Sequence, residues 1–198
     1  MNSIFFLLAC NAFLIAGGQD KRTEFPRDTS FTVFSAAEKI KKQYPQAQLI
    51  IPDLPEGVIL TSDLVYTRYG ERALHLDVFR PNNKKSLPAV LLIHGGGWRT
   101  GERSQGIPIA QRLAANGYVA VTVEYRLSIE ALYPAAVHDL KAAVRWLRAH
   151  AAEYSIDTAK IAVLGCSAGG QLAALIGTTN GDRKFEGSGG NAERSSAV

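Results

Sequence analysis

The chain has 198 residues, 46% apolar and 20% charged, which excludes a disordered or fibrous protein and sets one globular domain as the expectation. Its formal charge of +4 comes from 22 Lys and Arg set among 18 Asp and Glu without a sustained basic stripe, so nucleic-acid binding is not indicated. The two cysteines, Cys10 and Cys166, lie too differently placed to frame the domain with a disulfide, and stability must come from the core.

Residues 1–18 carry no charge, and Ile4 to Ala16 is a nearly unbroken apolar run closed by Gly17-Gly18. The run is shorter than the roughly 20 apolar residues a membrane-spanning helix needs, so it reads as an export signal with no stable membrane span. Within it Leu7-Leu8-Ala9-Cys10 resembles a bacterial lipobox, which would make Cys10 a lipid-bearing N-terminus; an apolar signal that happens to contain a cysteine is the alternative. Either way the expected destination is periplasmic or secreted.

Residues 19–55 are polar and proline-punctuated and read as an N-terminal extension. There Ser35-Ala36-Ala37-Glu38 has the pattern of a capping box, predicting a short helix from Ala36 to Gln43 that stops at Tyr44-Pro45. Val58–Leu60, Asp63–Tyr66 and Leu74–Phe79 partly alternate apolar and polar residues, predicting antiparallel strands with one wet face. The pattern then changes. Ala89–Ile93, Tyr118–Val123 and Ile161–Leu164 are continuous apolar runs, as expected of parallel strands covered on both faces. Helical segments separate them, from Gly106 to Ala115 and from Pro134 to Ala152, the second with Val137, Leu140, Val144 and Leu147 near a 3.6-residue period. This alternation predicts an α/β fold with a mostly parallel sheet and helices on both faces. Gly187 to Ser196, rich in Gly, Ser and Asn, reads as a loop.

Ile161 to Gly170 runs a buried strand directly into Gly165-Cys166-Ser167-Ala168-Gly169, followed by the helix-forming Gln171 to Ile176. A GxSxG set between strand and helix is the context of a nucleophile elbow, whose sharp turn strains the serine backbone and needs glycines on either side. The helix N-terminus beyond it favours a developing oxyanion. A serine that merely caps the helix beside a Gly-rich turn is the bland alternative. Earlier, His94-Gly95-Gly96-Gly97-Trp98 follows its own strand. Consecutive glycines let backbone amides converge on one oxygen, as an oxyanion hole requires.

These motifs, with Val123-Glu124-Tyr125-Arg126-Leu127, Tyr133-Pro134-Ala135-Ala136 and Asp139, resemble the α/β-hydrolase esterases and lipases with an HGGG loop, especially secreted bacterial feruloyl or acetyl-xylan carbohydrate esterases. The resemblance covers roughly residues 60–179 and implies a partial α/β-hydrolase domain over 56–198. It further implies Ser167 as the catalytic nucleophile and the amides of Gly96, Gly97 and Ala168 as the oxyanion hole, each donor worth ~3 kcal/mol. In that pattern His94 braces the Gly loop and is not the general base. Cys166 reads as a small side chain packed beneath the turn, not a thiol nucleophile. Trp98 and Tyr125 either line an acyl or sugar pocket or pack in the core. Asp139 and Arg126 either pair beneath the site or lie on a solvated helix face.

In this fold an acid and then a histidine follow the nucleophile. After Ser167 come Asp182, Glu186 and Glu193 but no histidine; His75, His94, His138 and His150 all precede it. The expectation is a C-terminally truncated chain, inactive by itself, lacking the later strands with the triad Asp and His. The function expected of its lineage is carboxylic-ester hydrolysis of a small-molecule or polysaccharide ester. Amide hydrolysis, as in formamidases or serine peptidases, and a non-catalytic hydrolase-like protein are the alternatives. The sequence shows no metal cluster, phosphate loop or cofactor fingerprint, so no cofactor is expected.

Overall fold

The computed structural model describes residues 25–26, 28–83 and 85–198; the export-signal run and Cys10 lie outside them. Helix α1 (Val33–Gln43) is followed by strands β1 (Val58–Tyr69), β2 (Arg72–Pro81) and β3 (Leu87–Ile93). A 3-10 turn at Arg103–Gly106 leads into α2 (Ile107–Ala115), then β4 (Val119–Val123). Next come α3 (Ala135–Ala149), α4 (Ala151–Tyr154), β5 (Ile156–Gly165), α5 (Ala168–Thr178) and α6 (Arg183–Glu186). The five strands form one sheet in the order β1-β2-β4-β3-β5. β1 and β2 form an antiparallel hairpin, β2 meets β4 antiparallel, and β3 lies parallel to both β4 and β5. A mixed sheet with a parallel centre and helices on both faces is the α/β arrangement expected.

The parallel strands alternate between two cores. Leu91 and Ile93 of β3 and Val119, Val121 and Val123 of β4 join Val137, Leu140, Val144 and Leu147 of α3 and Leu172 and Ile176 of α5 on one face. Leu92, Ala120 and Phe79 meet Ala110 and Ala114 of α2 on the other. Both faces are therefore dry at the centre, and each buried aliphatic side chain contributes about 1.5–3 kcal/mol of hydrophobic stabilisation.

Several local expectations are corrected. The helix begins one turn earlier than expected. Thr32 is the N-cap, its hydroxyl accepting from the Ser35 amide at 3.0 Å while Ser35 Oγ accepts from the Thr32 amide at 2.9 Å. Ser35 thus closes the reciprocal box from inside the helix, and Glu38 is not needed for it. Val58–Leu60 and Asp63–Tyr66 are parts of one strand, broken in register at Thr61/Leu64 and again at Val65/Thr67. The first irregularity contains Asp63 in a left-handed conformation, so the break in alternation marks a bulge and not a turn. β2 has no wet face: Leu76, Asp77, Val78 and Phe79 are all buried. Asp77 can lie inside because Arg103, far along the chain, reaches it at 2.7 Å.

β5 shows the opposite departure. Ile161 is buried, but Ala162 is exposed and Leu164 is 43% exposed. β5 is the edge of the described sheet, and α2, which covers that face elsewhere, packs over β2 and β4. Cys166 at its end is exposed as well, not packed beneath the turn.

α3 is buried nearly all round, including Lys141 and Arg145. Residues after α5 fold back across it. Lys141 Nζ donates to the Thr179 carbonyl at 2.8 Å and to Glu186 at 3.1 Å, and Arg145 donates to Glu186 and to the carbonyls of Gly189 and Gly190. A Cβ on Gly189 would lie 2.6 Å from the Ala142 Cβ, so this Gly-rich segment seats closely on the helix. The buried cations are acceptable because the segment supplies their acceptors.

Candidate active site

The turn between β5 and α5 places Ser167 at φ +56°, ψ −122°. A non-glycine residue there carries roughly 1–3 kcal/mol of strain, sustained only when its surroundings force it. The glycines supply the room. A Cβ on Gly165 would lie 2.1 Å from the Gly169 carbonyl oxygen, and one on Gly169 would lie 2.2 Å from the Ile93 carbonyl oxygen. Ser167 occupies the N-cap position of α5, yet its side chain makes no capping hydrogen bond. The hydroxyl is exposed and uncommitted among the described residues, unlike that of a serine that merely caps.

The Gly-rich turn after β3 comes up against this elbow. A Cβ on Gly95 would sit 2.8 Å from the Cys166 carbonyl oxygen and 3.4 Å from the Ser167 Cβ. Gly96, Gly97 and Trp98 all have positive φ, at +127°, +61° and +60°. The Gly96 carbonyl turns away and accepts from the amide of Thr100 at 2.9 Å and from its hydroxyl at 2.8 Å. The amides of Gly96, Gly97 and Ala168 donate to no oxygen among the described residues. Uncommitted donors beside an uncommitted hydroxyl form an arrangement able to stabilise a negative oxygen.

His94 stacks on Tyr125 with ring centroids 4.4 Å apart, and its Nδ1 lies 2.8 Å from the Gly95 carbonyl oxygen. The Tyr125 hydroxyl donates to the His94 carbonyl at 3.0 Å. Tyr125 is therefore a buried brace and not a pocket wall. Trp98 lines a cleft of about 540 Å³ together with Gly97, Arg126, Tyr133, Gln171 and Leu172. Arg126 and Asp139 are paired: the guanidinium reaches Asp139 at 2.7 Å, the Arg126 amide donates to the same carboxylate at 2.9 Å, and the guanidinium lies 3.6 Å over the Tyr69 ring.

A buried ion network beneath the loop was not visible in the sequence. Arg103 donates to Asp77, to Glu124 at 3.2 Å and to Asp63; Arg72 reaches Glu124 at 2.9 Å and Glu130 at 2.7 Å. Arg103 follows shortly after the Gly-rich turn, so the network fixes the far end of that loop to β1, β2 and the end of β4. Burial alone would raise the Glu124 carboxyl, but the hydrogen bond from His75 and the charges of Arg72, His75 and Arg103 overcome it and hold the group down at about 2. A carboxyl depressed below its usual 4.5 stabilises the fold above that pH, and the contribution is lost as pH falls toward 2. Glu124→Gln is therefore expected to cost about 3 kcal/mol near pH 6 in urea unfolding. The difference from the parent protein should shrink toward zero as both are titrated down through pH 4 to 2; a difference independent of pH would contradict it.

None of the four histidines hydrogen-bonds Ser167 among the described residues. His75 faces Glu124, His138 the Lys184 carbonyl and His150 the Trp146 carbonyl. The same residues contain no group of three or more His, Cys, Asp or Glu that could hold a metal, and no helix long and apolar enough to cross a membrane.

The chain is similar to a truncated form of a carbohydrate esterase from gut microbiota (31% identity, TM-score 0.63), covering 71% of this chain and 54% of that one. Esterase 2 of Thermogutta terrifontis, in a structure phosphonylated by cyclosarin, matches at 30% identity and TM-score 0.63, covering 74% of this chain and 55% of that one. By sequence, the probable carboxylic ester hydrolase LipM of Mycobacterium tuberculosis is 38% identical over 128 residues, and esterase LipC of the same organism 40% over 122. These matches cover 63% and 60% of this chain. The chain spans about half the length of the solved structures and 30% of each of these mycobacterial relatives. A family model, BD-FAE, matches residues 76–198, which hold β3 to α6 with both the Gly-rich turn and the elbow. With its sheet order, its elbow and this match in agreement, the chain belongs to the BD-FAE family of α/β-hydrolase esterases.

Proposed function

We propose that the complete protein is a serine-dependent carboxylic-ester hydrolase in which Ser167 is the nucleophile and the amides of Gly96, Gly97 and Ala168 form the oxyanion hole. The observation that carries this reading is the strained, uncapped Ser167 set against a loop in which the Gly96 and Gly97 amides have no partner among the described residues. Ser167 Oγ bonds to the ester carbonyl carbon while its proton passes to a general base, and the carbonyl π electrons move onto the oxygen facing the amides. Collapse of that intermediate breaks the bond to the alcohol, which leaves with the proton, and water then releases the acid from Ser167 by the same route.

The proposed substrates are acyl or aryl esters carried on polysaccharides. Support comes from the carbohydrate-esterase neighbour and from an open cleft whose walls include Trp98, 45% exposed, and Tyr133, 70% exposed. The apolar run at Ile4–Ala16 supports export to where such polymers lie. The test is hydrolysis of p-nitrophenyl acetate by the complete protein and by its Ser167→Ala variant. Equal rates would overturn the reading and favour a ligand-binding protein with a hydrolase frame.

A further inference from the structure

Trp98 sits where a bulky residue rarely goes. It ends a run of three positive φ values, and a left-handed backbone at a large side chain persists only where neighbours over-determine it. Two contacts do so. The Ser128 amide donates to the Trp98 carbonyl at 2.7 Å, which fixes the backbone, and the indole Nε1 donates to Gln171 Oε1 at 3.2 Å, which fixes the ring. Gln171 stands one turn beyond Ser167 in α5, and its own amide donates to the Ser167 carbonyl at 3.1 Å. One residue thus grips the elbow with its backbone and the Gly-rich loop with its side chain.

We propose that Gln171 is a positioning residue that, through the Trp98 indole, sets the Gly96 and Gly97 amides relative to Ser167 and holds the indole as a wall of the cleft. The proposal rests on the reading that Ser167 is the nucleophile and those amides receive the oxyanion. Trp98 and Gln171 both line the cleft, so the same hydrogen bond shapes the space beside the reacting centre. Oxyanion donors work by being fixed before charge develops, and small displacements are felt in the transition state more than in the bound substrate. Loosening the link should therefore lower kcat with little change in KM. A residue that only contributes to stability would shift the unfolding midpoint and leave kcat of the folded enzyme unchanged.

The experiment is a double-mutant cycle in the complete protein with p-nitrophenyl acetate: Gln171→Leu, which keeps bulk but has no acceptor, Trp98→Phe, which has no donor, and the two combined. Each single change is expected to lower kcat about tenfold with KM altered less than about twofold, since a misplaced oxyanion donor can cost a hundredfold. The double variant should be no slower than the slower single one, because both break the same link. A second readout does not depend on turnover. The Trp98 indole N–H resonance, assigned by its loss in Trp98→Phe, should move upfield and exchange faster with solvent in Gln171→Leu. A kcat within twofold of the parent in Gln171→Leu, or fully additive losses, would overturn the positioning role while leaving the esterase reading intact. A parent protein that hydrolyses no ester would overturn that reading and this proposal with it, whatever the indole resonance shows.

Discussion

Ser167→Ala is expected to slow ester hydrolysis by the complete protein by a factor on the order of 10⁴ or more, while its unfolding midpoint stays within about 1 kcal/mol of the parent. The two halves of that result come from one feature. A serine at a helix start usually stabilises the helix through its hydroxyl, and its loss then costs typically ~1 kcal/mol. Ser167 makes no such bond, so alanine removes the proposed nucleophile without removing a cap. The Gly96, Gly97 and Ala168 amides remain in place, and any residual rate above buffer reports what they and substrate binding supply without covalent chemistry. Paired kcat and urea-unfolding measurements check it. A variant that loses activity only because it unfolds would show the two quantities falling together.

Gly169→Ala is expected to damage both quantities. Its Cβ would lie 2.2 Å from the Ile93 carbonyl oxygen and 2.6 Å from that of His94, and these are backbone atoms at the end of a central strand. Neither can swing aside as a flexible side chain would. Helix α5 must move away from β3 by an ångström or more, which overpacks the core at a cost of about 3 kcal/mol and displaces Ser167 from the Gly-rich loop. A shift of that size costs on the order of a hundredfold in rate. Gly177→Ala is the matched control in the same helix. Its Cβ would meet only Val198 Cγ2 at 3.8 Å, so it should be neutral or stabilising by up to ~1 kcal/mol through helix propensity. If Gly169→Ala behaved like Gly177→Ala, the elbow would not be the tight contact described.

Much of the site was legible in the sequence because its constraints are steric and local. A serine forced to positive φ needs glycines at fixed offsets, and Gly165 and Gly169 stand at those offsets with backbone against the space where a Cβ would go. The Gly-rich turn could be read for the same reason. The central strands were legible because Leu91, Leu92 and Ile93 are apolar without alternation, and both faces are in fact covered. What could not be read was compensation between distant residues. Asp77 looked like a solvent-facing residue because nothing near it in sequence announces Arg103. α3 looked amphipathic because Lys141 and Arg145 are normally exposed, and only the segment folding back with Glu186 and its carbonyls makes their burial possible. Gln171 gave a faint signal, since four residues after Ser167 places it on the nucleophile's side of the helix. Its partner Trp98 lies on another loop, and periodicity says nothing of that. A small side chain next to the elbow apex reads as packed beneath the turn, but β5 lies at the edge of the described sheet and Cys166 is exposed.

Whether Ser167 is the nucleophile is decided by treating the complete protein with a fluorophosphonate and locating the adduct by mass spectrometry of its peptides. One phosphonyl group per chain is expected, on Ser167, absent from Ser167→Ala and slower to form in Gly169→Ala. Modification at another residue, the neighbouring exposed Cys166 included, or no adduct in a folded protein that hydrolyses esters, would contradict it.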